Sequence, residues 1–235
     1  MSVCSVAAVP AVAPQLDARG PGRDLQDEAR SVFEASQGHG ARLLLAAGSS
    51  SVIHDRAVVG DRDGDAPLEV PVDTELLAAL ATRSGFPRGR TDRLTGPLAD
   101  LVRWSAHVDP GRPVLPVEVP AQASVDTLAA VATGVRGATE ATDRRVGVVA
   151  VGDLARHTPG TAPRAQDFDR EVVESLRGGD LAALGALGPG LAHDLEAHGW
   201  APLMVAALLA EQTGLAYGEV HYLARDGAGH VVLCP

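Results

Sequence analysis

The six residues VGVVAV, Val146–Val151, constrain the fold of this chain more than any other segment. None of the six is polar, so a strand formed by them must be covered on both faces. The run RLLLAA at residues 42–47 has a similar character, and it follows an apolar first strand and a stretch with helical spacing. Strand, helix and buried strand in succession are typical of a parallel α/β unit.

Apolar spacing predicts the remaining elements. We expect strands at residues 3–12, 42–47, 113–119 and 146–151, a hairpin or excursion at 55–73, and two C-terminal strands joined by a turn at Asp226–Gly227. We expect helices at residues 23–37, 74–83, 97–107, 124–138, 165–177, 180–187, 190–198 and 201–213, with Asp73 and Ser124 as N-caps. The fold class is therefore α/β: one domain over residues 1–235, with a central, mostly parallel or mixed sheet flanked by helices.

The charged residues exclude several classes of function. The chain carries 20 basic and 30 acidic residues, a formal charge of -10, and every basic residue is arginine. Without a basic stripe we expect no nucleic-acid partner, and without lysine no Schiff base or P-loop. No apolar run reaches the ~18 residues of a membrane helix and no basic segment precedes the first apolar run, so we expect a cytoplasmic protein without membrane contact.

Neither the cysteines nor the histidines form a metal motif. Cys4 and Cys234 lie at opposite ends of the chain, and we expect semi-buried residues on terminal strands. The eight histidines include no HxH or HExxH pair. The acidic run GDRDGD at residues 60–65 lacks the glycine and glutamate that an EF-hand loop needs, which favours a solvated turn.

Two histidines are candidate catalytic residues because of their positions. His54 and His157 each follow a predicted buried strand by a few residues. In open α/β sheets the loops beyond the carboxyl ends of the strands form the ligand crevice, so we expect both histidines to face one pocket. GxSxG, GxGxxG and P-loop motifs are absent, which leaves serine hydrolase, dinucleotide-binding and NTPase functions without their usual residues.

One long segment resembles a known family. A strand ending in Gly-Asp, a polar motif, a Pro/Gly loop, a helix opening with Phe-Asp and a Gly-Asp-Leu turn follow one another in VVAVGDLARHTPGTAPRAQDFDREVVESLRGGDLAAL. This order resembles the B-subunit-like domain of class III extradiol ring-cleavage dioxygenases, in the small single-domain form found in actinobacteria. The likeness covers about residues 1–215 in element order and is specific over residues 146–187.

The resemblance implies a non-haem Fe(II) site built from two histidines and a glutamate, with a further histidine as acid–base residue. At the place of the first ligand this chain carries Val9, and at the place of the second it carries Ser49 or Ser50. Valine cannot ligate a metal, and the histidine nearest to the second place, His54, follows several residues later. An iron site that has lost ligands loses most of its metal affinity.

The other two positions also depart from the family pattern. Arg156 stands at the place of the acid–base histidine, and His157 follows one position later. Residues 202–205 offer no carboxylate at the place of the glutamate, and Glu211 lies downstream on the same predicted helix. Because neighbouring residues seldom share a direction, we expect Arg156 and His157 to point different ways.

Three functions follow as expectations, and whether the chain is an enzyme stays open. The first is a dioxygenase-like protein with a degenerate metal site and no resident cofactor, which binds a small acidic or aromatic molecule without ring cleavage. Its candidate ligand-binding residues are Ser49, Ser50, Asp153 and Arg156. The second is an active Fe(II) ring-cleavage dioxygenase with shifted ligands drawn from His54, His157 and Glu211. The third is a non-enzymatic scaffold, a homodimer that buries residues 201–213.

Overall fold

The computed structural model describes residues 3–9, 27, 30–32, 34, 39–60, 67–89, 92–216, 218–225 and 227–234. The described strands are β1 (Val3–Val9), β2 (Ala41–Gly48), β3 (Val52–His54), β4 (Ala57–Val59), β5 (Leu68–Val70), β6 (Arg88–Gly89), β7 (Val114–Pro120), β8 (Val146–Val151), β9 (Asp153–Arg156), β10 (Glu219–Arg225) and β11 (Ala228–Cys234). The helices with described ends are α1 (Thr74–Ser84), α2 (Gly96–Val108), α3 (Val125–Thr142), α4 (Ala162–Gly178), α5 (Leu181–Asp194) and α6 (Trp200–Thr213). This is the expected α/β fold.

Nine of the strands form one mixed sheet in the order β10-β11-β1-β8-β2-β7-β3-β6, with β9 paired to β11. Strands β1, β8, β2 and β7 are mutually parallel and make up its centre. Strands β10, β11 and β3 each pair antiparallel with a neighbour, so the sheet is mixed. Strands β4 and β5 pair separately as the hairpin expected within residues 55–73.

Strand β8 occupies the sequence range predicted for it and is buried on both faces. All six residues are buried. Val148 and Ala150 belong to the core under α1, α3 and α6, whereas Val149 and Val151 belong to the core under α2. This division is the physical reason why the run contains no polar residue, since neither side of the strand faces solvent.

Helix α6 lies inside the protein, which overturns one expectation. Every residue from Trp200 to Ala210 is buried, and the helix packs against β1, β8, β2 and α3. Residues 201–213 therefore do not present the dimer surface expected of them, because their apolar side chains are already used in the core of one chain. Among the described residues no helix is both long enough and apolar enough to cross a bilayer.

The ends of several helices follow the sequence signals. The Asp73 carboxylate accepts a hydrogen bond from the Leu76 amide (2.9 Å), and Ser124 caps α3 through the Thr127 amide (3.3 Å). The two short helices expected at 180–187 and 190–198 correspond to α5, in which the non-helical backbone of Gly188 (φ 70°, ψ 160°) separates two helical segments. Cys4 and Cys234 are half-buried on β1 and β11 as expected, and neither forms a disulfide.

Some predictions fall on residues beyond those described. The helix expected at residues 23–37 is described only at 27, 30–32 and 34, all of which are helical. The acidic turn at residues 61–65 and the end of the first strand at residues 10–12 lie outside the described residues.

Candidate functional site

The carboxyl ends of the four parallel strands meet at one edge of the sheet. Val9 of β1 lies beside Val151 of β8, and Gly48 of β2 lies beside Pro120 of β7. In α/β sheets this carboxyl edge is where ligands bind. The polar side chains near it form three histidine–carboxylate pairs.

The first pair joins His54 to Glu118. After the exposed turn at Ser49 and Ser50, β3 runs back antiparallel to β7, and this places Val52 opposite Glu118. The His54 Nε2 atom lies 3.2 Å from Glu118 Oε1. The imidazole is almost completely buried, whereas 30% of the Glu118 side chain remains exposed. Glu118 is thus the member of the pair that a ligand can reach.

Two glycines make room for this pair. A Cβ atom at Gly48 would overlap the Glu118 carboxylate. A Cβ atom at Gly89 would overlap the Val52 side chain and would lie 3.5 Å from His54 Nδ1. This Nδ1 atom is buried and has no hydrogen-bond partner in the described part of the chain. The backbone at Gly48 therefore approaches Glu118, and the backbone at Gly89 approaches Val52 beside His54, more closely than a residue with a side chain would allow.

The second pair centres on Asp169, a residue of α4 that is completely buried. One carboxylate oxygen accepts the Ala155 amide at 2.9 Å. The other lies 2.7 Å from His157 Nε2 and accepts the Tyr222 hydroxyl at 2.8 Å. Burial, together with the hydrogen bond and the negative charge of Asp169, raises the pKa of Tyr222 well above its ordinary value. Three donors satisfy a carboxylate that would otherwise be costly to bury.

The third pair lies where β8 passes into β9. The His230 Nδ1 atom of β11 lies 3.1 Å from Asp153 Oδ1. The Asp153 carbonyl accepts the Gly199 amide at 2.6 Å, and a Cβ at Gly199 would overlap the Asp153 backbone. Asp153 therefore ties the end of the sheet to the start of α6.

The structure separates the two candidate catalytic histidines, so the expectation of one shared pocket is wrong. His54 lies on β3, and His157 follows β9, which pairs with β11 where β1 has ended. Strands β7, β2 and β8 intervene, and neighbouring strands lie about 4.8 Å apart, which gives a separation on the order of 20 Å. Each histidine is held by its own carboxylate.

The ligand-binding candidates are also divided between the two regions. Ser49 and Ser50 are exposed beside Gly48, over which Glu118 lies. Arg156 projects into solvent with its Nε 3.7 Å from Glu196 Oε2, whereas His157 points inward to Asp169. The two neighbours diverge as expected from strand geometry. Arg156 therefore does not reach the region around Ser49 and Ser50.

Sequence reasoning missed four residues of these pairs: Glu118, Asp169, Tyr222 and His230. The sequence pattern marks Glu118 as unusual, because it is the one charged residue in the buried strand VLPVEVP. It also marks Asp169, which lies beside Phe168 on the apolar face of α4. A buried acid within an apolar pattern indicates a partner, but the pattern does not say which residue that partner is.

The residues present do not fit the iron site of the family that the sequence resembles. Such a site needs three donors around one point. Val9 is completely buried and has no donor atom. Glu211 lines a different region, between α4 and α6. The described residues contain no group of three His, Cys, Asp or Glu side chains that could hold a metal ion.

The fold and the three pairs define an α/β protein with a polar carboxyl edge. No protein-family model matches the chain, and no curated protein matches it. The chain is similar in structure to the uncharacterized protein JW3007 from Escherichia coli K12, with a TM-score of 0.66 and 13% sequence identity. The match covers 98% of this chain and 100% of that one. At this identity the likeness shows the fold alone.

Proposed function

We propose that this chain is a class III extradiol dioxygenase-like protein that binds a small hydroxylated aromatic acid at its carboxyl edge without cleaving the ring. The observation that carries the proposal is the His54–Glu118 pair, which is packed against two glycines and partly open to solvent. The order of strands and helices is compatible with the resemblance carried by the sequence. Val9 stands at the place of the family's first iron ligand and has no donor atom, and this supports the absence of ring cleavage.

The chemistry of the pair fits a ligand hydroxyl. The Glu118 carboxylate accepts a hydrogen bond from His54 Nε2 through one oxygen, and its second oxygen remains an acceptor for a phenolic hydroxyl. The hydroxyls of Ser49 and Ser50, beside Gly48, are donors for the ligand's carboxylate. Arg156 takes no part in the proposed site, because its side chain lies beside Glu196, away from Ser49 and Ser50.

The experiment is a calorimetric titration with 3,4-dihydroxybenzoate, run with and without added Fe(II), together with an oxygen electrode. We expect binding in both conditions and no oxygen uptake. Glu118→Gln removes a charged acceptor, so affinity should fall about tenfold. Glu140→Gln is the matched control, because Glu140 is exposed near the end of α3, at the opposite edge of the sheet.

Two results would contradict the proposal. Iron-dependent oxygen uptake with a ring-opened product would mean that the chain is an active dioxygenase with rearranged ligands. Equal affinity in the wild-type protein and the Glu118→Gln variant, or no binding at all, would mean that the His54–Glu118 pair is purely structural.

A further inference from the structure

Strand β10 is an edge of the main sheet. It pairs with β11 on one side, and no described strand lies on its other side. It is seven residues long and contains no proline, and none of its residues from Glu219 to Ala224 is buried. A long edge strand of this kind is a template for pairing with another strand.

The direction of the free backbone groups follows from two hydrogen bonds. Val231, opposite Tyr222, donates its amide to Gly152 on the far side of β11 (2.9 Å), so it does not bond to β10. The Val220 carbonyl accepts Arg177 Nη2 at 3.0 Å and thus also points away from β11. Because these groups alternate along an antiparallel strand, the amides and carbonyls of Val220, Tyr222 and Ala224 face outward.

We propose that a second copy of this chain pairs with β10 in antiparallel orientation, centred on Tyr222. The outward groups are self-complementary in this register: Val220 lies opposite the partner's Ala224, and Tyr222 lies opposite the partner's Tyr222. The Val220 carbonyl has two lone pairs, so it can accept the partner's amide beside Arg177. The pairing extends the mixed sheet across the two-fold axis.

Charge complementarity selects this register. The strand reads EVHYLAR, with an acid at its first position and an arginine at its last. Antiparallel pairing about Tyr222 puts Glu219 opposite the partner's Arg225, and the two-fold axis creates this pairing twice. Glu219 is available for it, since 74% of its side chain is exposed and its contact at 2.9 Å is with His221 on the same strand. Opposite charges across strands stabilise pairing.

The proposed interface is narrow, because the partner strand ends at Arg225 and the chain then turns back into β11. Strand pairing alone buries less than the roughly 1,200 Å² of a stable interface, so we expect a weak, concentration-dependent dimer.

Sedimentation equilibrium over a wide concentration range tests the proposal, with the Glu219→Arg and Arg225→Glu variants and their combination. Each single reversal turns two attractive pairs into two repulsive ones, so dimerisation should weaken about tenfold. The double reversal should restore it. Glu140→Arg on α3, away from the edge, is the control and should leave dimerisation unchanged.

The Ala224→Pro variant tests the backbone pairing itself. The lost amide points away from β11, so the monomer keeps its sheet hydrogen bonds while the dimer loses two. We expect a monomer with a normal unfolding transition, and concentration-dependent protection of the Tyr222 amide in hydrogen exchange only in the wild-type protein. A wild-type protein that stays monomeric, or a double reversal that fails to restore the dimer, would overturn the proposal. This outcome is independent of ligand binding at the carboxyl edge.

Discussion

At the scale of single residues, one buried and one half-buried carboxylate hold the histidines of this protein. Asp169 accepts three hydrogen bonds, and Glu118 holds His54. The sequence predicts histidines near the carboxyl edge, and it identifies two of the three that lie there, His54 and His157. Their partners come from distant positions, 64 residues away for His54 and 12 for His157, so no local pattern could pair them.

The three hydrogen bonds that Asp169 accepts predict a large loss of stability when its side chain is truncated. Asp169→Ala leaves the Ala155 amide, His157 and Tyr222 without their acceptor, so the free energy of unfolding should fall by about 3 kcal/mol or more. Tyr222→Phe removes one hydrogen bond and should cost about 1 kcal/mol. Urea unfolding measures both. Equal losses in the two variants would contradict the central role of Asp169.

His39 predicts the dependence of stability on pH. Burial lowers the pKa of His39 below its ordinary value of 6.5, and the nearby charges of Arg145, Arg42 and Arg112 lower it further. The unfolded chain therefore takes up a proton before the folded protein does, and stability falls as the pH drops below about 6.5. A His39→Gln variant should show a shallower fall in urea unfolding between neutral and mildly acidic pH. An unchanged slope would contradict this assignment.

At the scale of elements, the sequence predicts long elements better than it predicts short ones. The buried run of β8 and the capped helices α1 and α3 are predictable because a long apolar pattern or a capping side chain marks them. Strand β3 has three residues and reverses direction against β7, which no periodicity reveals. His54 lies far from His157 because β3 lies beyond β7 in the strand order.

Capping gives the prediction at this scale. The Asp73 carboxylate is buried, accepts the Leu76 amide and lies 3.8 Å from Arg144, so Asp73→Ala should lower the free energy of unfolding by about 1–2 kcal/mol. Ser124 makes a longer and exposed capping bond, so Ser124→Ala should cost less than about 1 kcal/mol. Thermal unfolding of the two variants shows whether the buried cap, Asp73, stabilises its helix more than the exposed cap, Ser124. The reverse order would contradict it.

At the scale of the whole molecule, the fold brings three histidine–carboxylate pairs to one side of the sheet but does not join them into one centre. Apolar patterning specifies the sheet and its buried helices, because burial dictates residue type along a whole element. The positions of side chains across the sheet depend on strand order, which the sequence pattern leaves open. The proposed site is therefore the pair with an exposed carboxylate and exposed serines beside it.

A crystal structure of the protein with 3,4-dihydroxybenzoate tests the proposed site most directly. We predict intact ligand at the carboxyl edge, with a ring hydroxyl within hydrogen-bond distance of Glu118 and the carboxylate beside Ser49 and Ser50. A ligand bound instead at the His157–Asp169 pair, or a ring-opened product on a metal ion, would contradict it.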